Sequence, residues 1–295
     1  MAKADYSSVR ILISVDNQIV RKGIFDALRT NGYTQITLAT SREDQHAALQ
    51  NQIFDLIILT SHLGPWSTDS LITDIRNGRS NHHRFPIVIM LLVDGLPDTV
   101  RAAVASGADA VLVMPVAPSL VLARVNDLAN ARKPFVVTRD YTGPDRRKEE
   151  RKGSMPAPKM DTPNPMRARL DQVPDAVFEK DVRRASQQLN TIKVERYGAQ
   201  INWVIEAISK MFHAGESNPK ALATYGAALE QMAEALPDVL GTAMTTRLKQ
   251  LLQAVVLAAK TILRDDVKLS IVEFELVSKA CKELLRELTV ADAER

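Results

Sequence analysis

Five short apolar runs, rich in β-branched residues, recur through the first 131 positions and constrain the fold more than any other feature. They are residues 9–15 (VRILISV), 34–40 (TQITLAT), 54–60 (FDLIILT), 85–93 (FPIVIMLLV) and 109–114 (DAVLVM). A strand with one wet face alternates apolar and polar residues, whereas these are apolar nearly throughout, so both faces of their sheet must be covered. The covering elements lie between them. Residues 17–33 place Ile19, Val20, Ile24, Ala27 and Leu28 at helical spacing and close on Gly32. Ser41 and Asp44 have the spacing of a capping box at the start of a helix through Leu49. Residues 67–77, 96–108 and 118–132 supply three more helices. Strand alternating with helix predicts an α/β doubly wound, five-stranded parallel sheet of the flavodoxin-like kind over residues 1–131.

Past Pro134 this rhythm stops. Residues 132–169 hold 11 Lys and Arg against 5 Asp and Glu, although the whole chain of 295 residues carries a net charge of only +3. Prolines recur at 144, 156, 158, 163, 165 and 174. Residues 132–174 therefore read as a basic, Pro-rich linker, extended and mobile. From residue 175 to 295 the pattern is helical almost without strand character. One helix runs from about 175 to 214, with a break near Thr191. The next starts at Asn218-Pro219 and stops at Pro237, and two more follow. Short connections between four helical stretches predict an antiparallel all-α bundle.

The excess positive charge sits in the connector rather than in either folded part, so DNA is not an expected partner. No run approaches the roughly 20 apolar residues of a membrane span and no signal-peptide stretch opens the chain, so a cytoplasmic location is expected. The single cysteine, Cys281, lies in a helical pattern and reads as a small core residue.

The runs ILISVDN, FDLIILTSHLGP, FPIVIMLLV and ASGADAVLVMPV, in that order and spacing, resemble the receiver domain of bacterial two-component response regulators. The resemblance covers residues 8–131, a little under half the chain. It implies a phosphoacceptor aspartate ending the third strand, an acidic pair ending the first that holds Mg²⁺, a hydroxyl residue ending the fourth, and a lysine before the proline of the fifth. On this sequence the acidic pair falls on Val15 and Asp16, and the acceptor on Thr60. The hydroxyl residue falls on Leu91 or Leu92, the lysine on Met114, and the aromatic switch residue on Val111.

One carboxylate makes a weak Mg²⁺ site, and a threonine hydroxyl without a base is a poor nucleophile. Leu and Met in place of a hydroxyl and an ammonium would leave a phosphoryl dianion desolvated and unpaired. The chain thus reads as a pseudo-receiver: no catalytic residue, no Mg²⁺ or other cofactor, and a scaffold for protein contacts. Asp16 reads as the cap of the first helix, and Met114-Pro115 as a cis peptide of the receiver kind. In receivers the fourth helix, fifth strand and fifth helix make the usual partner or dimer face, here 96–106, 109–113 and 119–131. A homodimer and a helical output domain that docks a partner are expected.

Arg146, Arg147 and Arg151 have the RRxxxR spacing that resembles the arginine motif of PilZ domains, which implies cyclic di-GMP as an alternative ligand. The prolines and helices that follow favour a solvated docking stretch instead. His82-His83 read as a surface loop. A phosphorelay role would need a non-standard acceptor such as Thr60, Asp55 or Asp94. His213, at a helix end, does not fit a phosphotransfer histidine.

Overall fold

The structure, a computed structural model, describes residues 5–146, 157–215, 218–262 and 270–293. The chain divides into two units, residues 1–186 and 187–295.

In the first unit β1 (Arg10–Ser14), β2 (Gln35–Ala39), β3 (Leu56–Thr60), β4 (Ile87–Leu92) and β5 (Ala110–Val113) form one sheet in the order β2-β1-β3-β4-β5, every pair parallel. Helices α1 (Gln18–Thr30), α2 (Arg42–Asn51), α3 (Asp69–Asn77), α4 (Pro97–Ala105) and α5 (Pro118–Asn130) connect them. Because side chains alternate across a strand, each strand feeds two cores. Ile11, Ile13, Ile58, Ile89 and Leu91 pack towards α1 and α5, beside Leu28 and Val125. Leu12, Ile57, Leu59, Met90 and Leu92 pack with Leu49 of α2, Ile72 of α3 and Ala103 of α4. The two-sided covering expected from the apolar strands is present. So is the Ser41 capping box, in which the Asp44 N–H donates to Ser41 Oγ at 3.1 Å and the Ser41 N–H to Asp44 Oδ2 at 3.2 Å.

The described residues of 132–174 are not an extended linker. Strands β6 (Phe135–Val137), β7 (Thr142–Pro144) and β8 (Lys159–Met160) form a small antiparallel sheet in the order β8-β6-β7. Phe135, Val137 and Met160 are buried, and Met166 of α6 (Pro165–Leu170) joins the α1/α5 core.

Buried charge explains why this stretch folds back. Asp109, at the start of β5, lies between Arg76 of α3 and Arg132, which follows α5. Arg76 Nη2 donates to Asp109 Oδ2 at 2.8 Å, and Arg132 Nε to Oδ1 at 2.8 Å. The Val88 N–H adds a third donor at 2.9 Å. The guanidiniums of Arg132 and Arg76 lie 4.7 and 5.0 Å from the Phe135 ring centroid, close enough for cation–π attraction. Burial by itself would raise the Asp109 carboxyl, but Arg132, Arg76 and the Val88 N–H hold it below the usual carboxylate range. A second buried carboxylate, Asp55 just before β3, accepts from the Arg10 N–H at 2.8 Å and from Arg169 Nε of α6 at 3.3 Å. Two arginines of the expected linker thus satisfy carboxylates of the sheet, an arrangement that hydrophobic periodicity cannot announce.

His82 and His83 belong to the same edge. His82 is buried, not a surface residue: its Nε2 accepts from the Phe54 N–H at 2.7 Å and its Nδ1 faces the His83 carbonyl at 2.9 Å. Those partners place the proton on Nδ1, and burial lowers the imidazole to about 4.

Helix α7 (Asp175–His213) opens in the first unit and ends in the second without a break at Thr191. The second unit adds α8 (Pro219–Leu240), α9 (Thr246–Ile262) and α10 (Ile271–Ala293). One core joins Tyr197, Ile201 and Val204 of α7, Leu229 and Leu236 of α8, Leu252 and Val255 of α9, and Cys281 and Leu284 of α10. Helix α8 does not stop at Pro237 but runs one turn further. At that position proline removes the single hydrogen bond to the Ala233 carbonyl. Burial of Leu236, Val239 and Leu240 carries the helix past it. Cys281 is the core residue expected, its thiol pushed up to about 12 by burial.

Removing the Asp109 carboxylate leaves two buried arginines facing each other. Asp109→Ala is expected to cost about 3–5 kcal/mol, read as a lower urea midpoint at an unchanged m-value. A second expectation concerns acid. The unfolded chain binds a proton at His82 near pH 6.5 while the folded chain resists until about pH 4, so the unfolded state binds more protons between those values. Stability from this group is complete above pH 6.5 and falls by about 3 kcal/mol as the pH drops to 4. His82→Gln should flatten that part of the stability–pH profile.

Candidate functional site at the carboxyl edge of the sheet

Strand order reverses between β1 and β3, which opens a crevice outside the carboxyl ends of those strands. Ser14 pairs with Leu59 and Thr60 with Leu91, so Val15, just past β1, Thr60 at the end of β3 and Leu91 near the end of β4 fall in one row. All three side chains are buried. The register also separates Leu91 from Leu92: Leu91 lies beside Thr60, whereas Leu92 packs with Leu59 in the opposite core.

Thr60 is held at both its hydroxyl and its carbonyl. Its Oγ1 donates to the His62 carbonyl at 2.5 Å, and its carbonyl accepts from Thr68 Oγ1 at 2.5 Å. The Ser61 N–H bonds the Leu91 carbonyl at 2.8 Å, and the Thr68 N–H bonds the Ser61 carbonyl at 3.0 Å. A two-residue-per-arm hairpin, His62–Leu63 against Trp66–Ser67, closes this loop. Arg42 covers the half-exposed Trp66 ring, with its guanidinium carbon 4.3 Å from the centroid. Sequence reasoning missed these loop contacts, because two-residue strands carry no readable period.

Asp16 is exposed and is not the cap of α1. Asn17 is, with Oδ1 accepting from the N–H groups of Ile19 at 3.0 Å and Val20 at 3.1 Å. Asp16 Oδ1 instead accepts from the Asn17 N–H at 2.8 Å. Arg21, one turn into α1, donates Nη1 to the carbonyl oxygens of Val15 at 2.6 Å and Asp16 at 3.0 Å. A guanidinium on the carbonyls that end β1 repels a divalent cation there. Among the described residues no group of three or more His, Cys, Asp or Glu could hold a metal ion. One exposed carboxylate, a fixed cation and three apolar or spent neighbours do not fit Mg²⁺, which takes a near-octahedral set of oxygens.

Met114 is half-buried, its N–H bonded to the Leu92 carbonyl at 2.8 Å, and the Met114-Pro115 peptide is cis. Val111 is half-buried against the α2/α3/α4 core. The two other carboxylates considered as acceptors stand elsewhere. Asp55 lies at the amino end of β3, and Asp94 Oδ1 caps the Leu96 N–H at 3.0 Å in the loop after β4.

Arg146 donates to the Ala108 carbonyl. Arg147 and Arg151 lie outside the described residues. His213 is exposed at the end of α7, with Nδ1 2.7 Å from the Ser209 carbonyl.

On strand order and helix placement, residues 9–131 have the receiver fold, a doubly wound sheet of the flavodoxin and chemotaxis-regulator type. No protein-family model and no curated protein matches the chain. Among solved structures it is similar to the response regulator DrrB of Thermotoga maritima, an OmpR/PhoB homologue, at 20% identity and a TM-score of 0.37 over 43% of this chain. A Burkholderia pseudomallei response regulator with a phosphorylated aspartic acid is 23% identical over 39% of the chain, TM-score 0.35. The chemotaxis response regulator CheY4 of Vibrio cholerae is 22% identical over 40%, TM-score 0.36. The matches span 56%, 65% and 98% of those three proteins.

Restoring an acid to β3 alone should not restore a site. In Thr60→Asp the carboxylate would be buried beside Val15 and Leu91, at a cost of about 2 kcal/mol at pH 7. Burial raises the pKa of that new carboxyl, so the penalty should shrink as the pH falls through it towards 4. Urea melts across that range would read both effects.

Proposed function

We propose that the chain is a two-component-type signalling protein whose receiver-like domain works by protein–protein contact, without phosphoryl transfer, and whose helical unit is the output. The row Val15, Thr60, Leu91 carries this reading: it holds no carboxylate, and its one hydroxyl is already donated to the His62 carbonyl. Arg21 on the carbonyls of β1 supports it further, since a fixed cation opposes recruitment of Mg²⁺. Neither nucleophile nor metal is then at hand, and the reading is non-enzymatic.

Contact surfaces carry the function in its place. Val93, Leu96, Val113 and Leu120 are each at least 45% exposed, around the ends of β4 and β5 and on the first turn of α5. Val113 touches the loop after β4, where a Cβ on Gly95 would stand 3.6 Å from its Cγ1. These apolar side chains fall on or beside the α4, β5 and α5 face through which a second copy or a partner would dock. A partner that shifts this domain must do so by differential binding, because no phosphate biases it.

Incubation with acetyl phosphate and Mg²⁺ should leave the intact mass unchanged; a species heavier by about 80 Da, one phosphoryl group, would sink the reading. Leu96→Arg with Leu120→Arg should abolish self-association in sedimentation experiments, with stability moved by no more than about 0.5 kcal/mol. Unchanged self-association would count against this face.

A further inference from the structure

A cleft opens at the opposite, amino-terminal edge of the sheet, inside the first unit. Arg10, Ile53, His83, Arg169 and, from α7, Phe178 and Val182 line it, around a volume of about 360 Å³. We propose that this cleft binds a small organic monocarboxylate.

The polar groups that line it are unequal in what they have left to give. Both carboxylates that line it already face a cation: Asp175 has Arg169, and Glu179 has Arg183 at 3.7 Å. Two donors there have capacity left. Nδ1 of His83 accepts from the Phe85 N–H at 3.1 Å, so in the neutral ring Nε2 carries the proton, and Nε2 is buried without a hydrogen-bond partner. Arg10 uses its backbone N–H and Nε on Asp55, and its two terminal nitrogens have no acceptor among the described residues. A buried N–H without an acceptor costs free energy that a ligand oxygen would recover. An anionic acceptor suits a neutral imidazole N–H and a guanidinium together.

Ile53, Phe178 and Val182 ask for an apolar body. The Phe178 ring stands edge-on to His83 at 5.9 Å between centroids. Ligand pockets run from about 300 to 1,000 Å³, and a volume near the lower end suits a single-ring or short-chain acid. The site is remote from the carboxyl edge and independent of the signalling reading.

The test is calorimetric titration of the full chain with sodium benzoate, with benzyl alcohol as the uncharged counterpart. Saturable one-to-one binding with a Kd of about 1 mM or tighter is expected, and benzyl alcohol should bind at least tenfold more weakly. Arg10→Gln and His83→Phe should each weaken benzoate at least tenfold. Val182→Trp fills the cleft without touching its polar groups and should abolish binding in a chain whose circular dichroism is unchanged. No saturable heat with benzoate, equal affinity for benzyl alcohol, or full affinity in a folded Val182→Trp would each overturn the proposal.

Discussion

Asp109 begins β5 with its carboxylate sealed inside the protein, and much of the first unit is arranged around that charge. A buried carboxylate must be met by donors on every side or it will not stay ionised. Arg76 comes from α3, Arg132 from beyond α5 and the Val88 N–H from β4. Arg132 donates as well to the carbonyls of Phe85, Pro86 and Pro163, so one guanidinium ties β4, β5 and the segment leading into α6. The Phe135 ring, set against both guanidiniums, brings β6 with them. Asp55 repeats the device with Arg10 and Arg169, which secures α6. The extension beyond α5 is therefore part of the domain.

The two edges of the sheet have opposite character. The amino-terminal edge is crowded with paired charge, whereas the carboxyl edge ends in Val15, Thr60 and Leu91, with apolar side chains left exposed beside it. In a doubly wound sheet the carboxyl edge is where ligands sit. Here Thr60 ends β3 and Arg21 places its guanidinium on the carbonyls of Val15 and Asp16. On the contact reading proposed above, the exposed Val93, Leu96, Val113 and Leu120 depend on the scaffold and not on an acid at position 60.

How much of this the sequence carried differs from element to element. Each of the five strands was visible as an apolar run, and the first helix as a 3.6-residue period, because burial on two faces or one leaves a local pattern. The Ser41–Asp44 box was readable for the same reason: both partners lie within one turn. Asp16 was misread because its neighbour Asn17 competes for the same cap, and only geometry decides between adjacent candidates. The stop assigned to Pro237 failed because a proline in the last turn sacrifices one hydrogen bond, less than the burial of Leu236, Val239 and Leu240 returns. Residues 132–174 misled most. Their basic and Pro-rich composition is that of a linker, and the strands within them are too short to show a period.

By itself, then, the sequence determined the doubly wound sheet, the helical second unit and the threonine that ends β3, since each is written in residues close along the chain or at the end of a recognisable strand. Only the tertiary structure decided that Arg132 and Arg169 answer Asp109 and Asp55, that the Thr60 hydroxyl is spent on the His62 carbonyl, and that Leu91 rather than Leu92 stands beside it. Those facts rest on strand register and on pairs 23 and 114 residues apart. The free energy of a buried ion pair depends on where two distant segments meet, and no local pattern encodes that meeting.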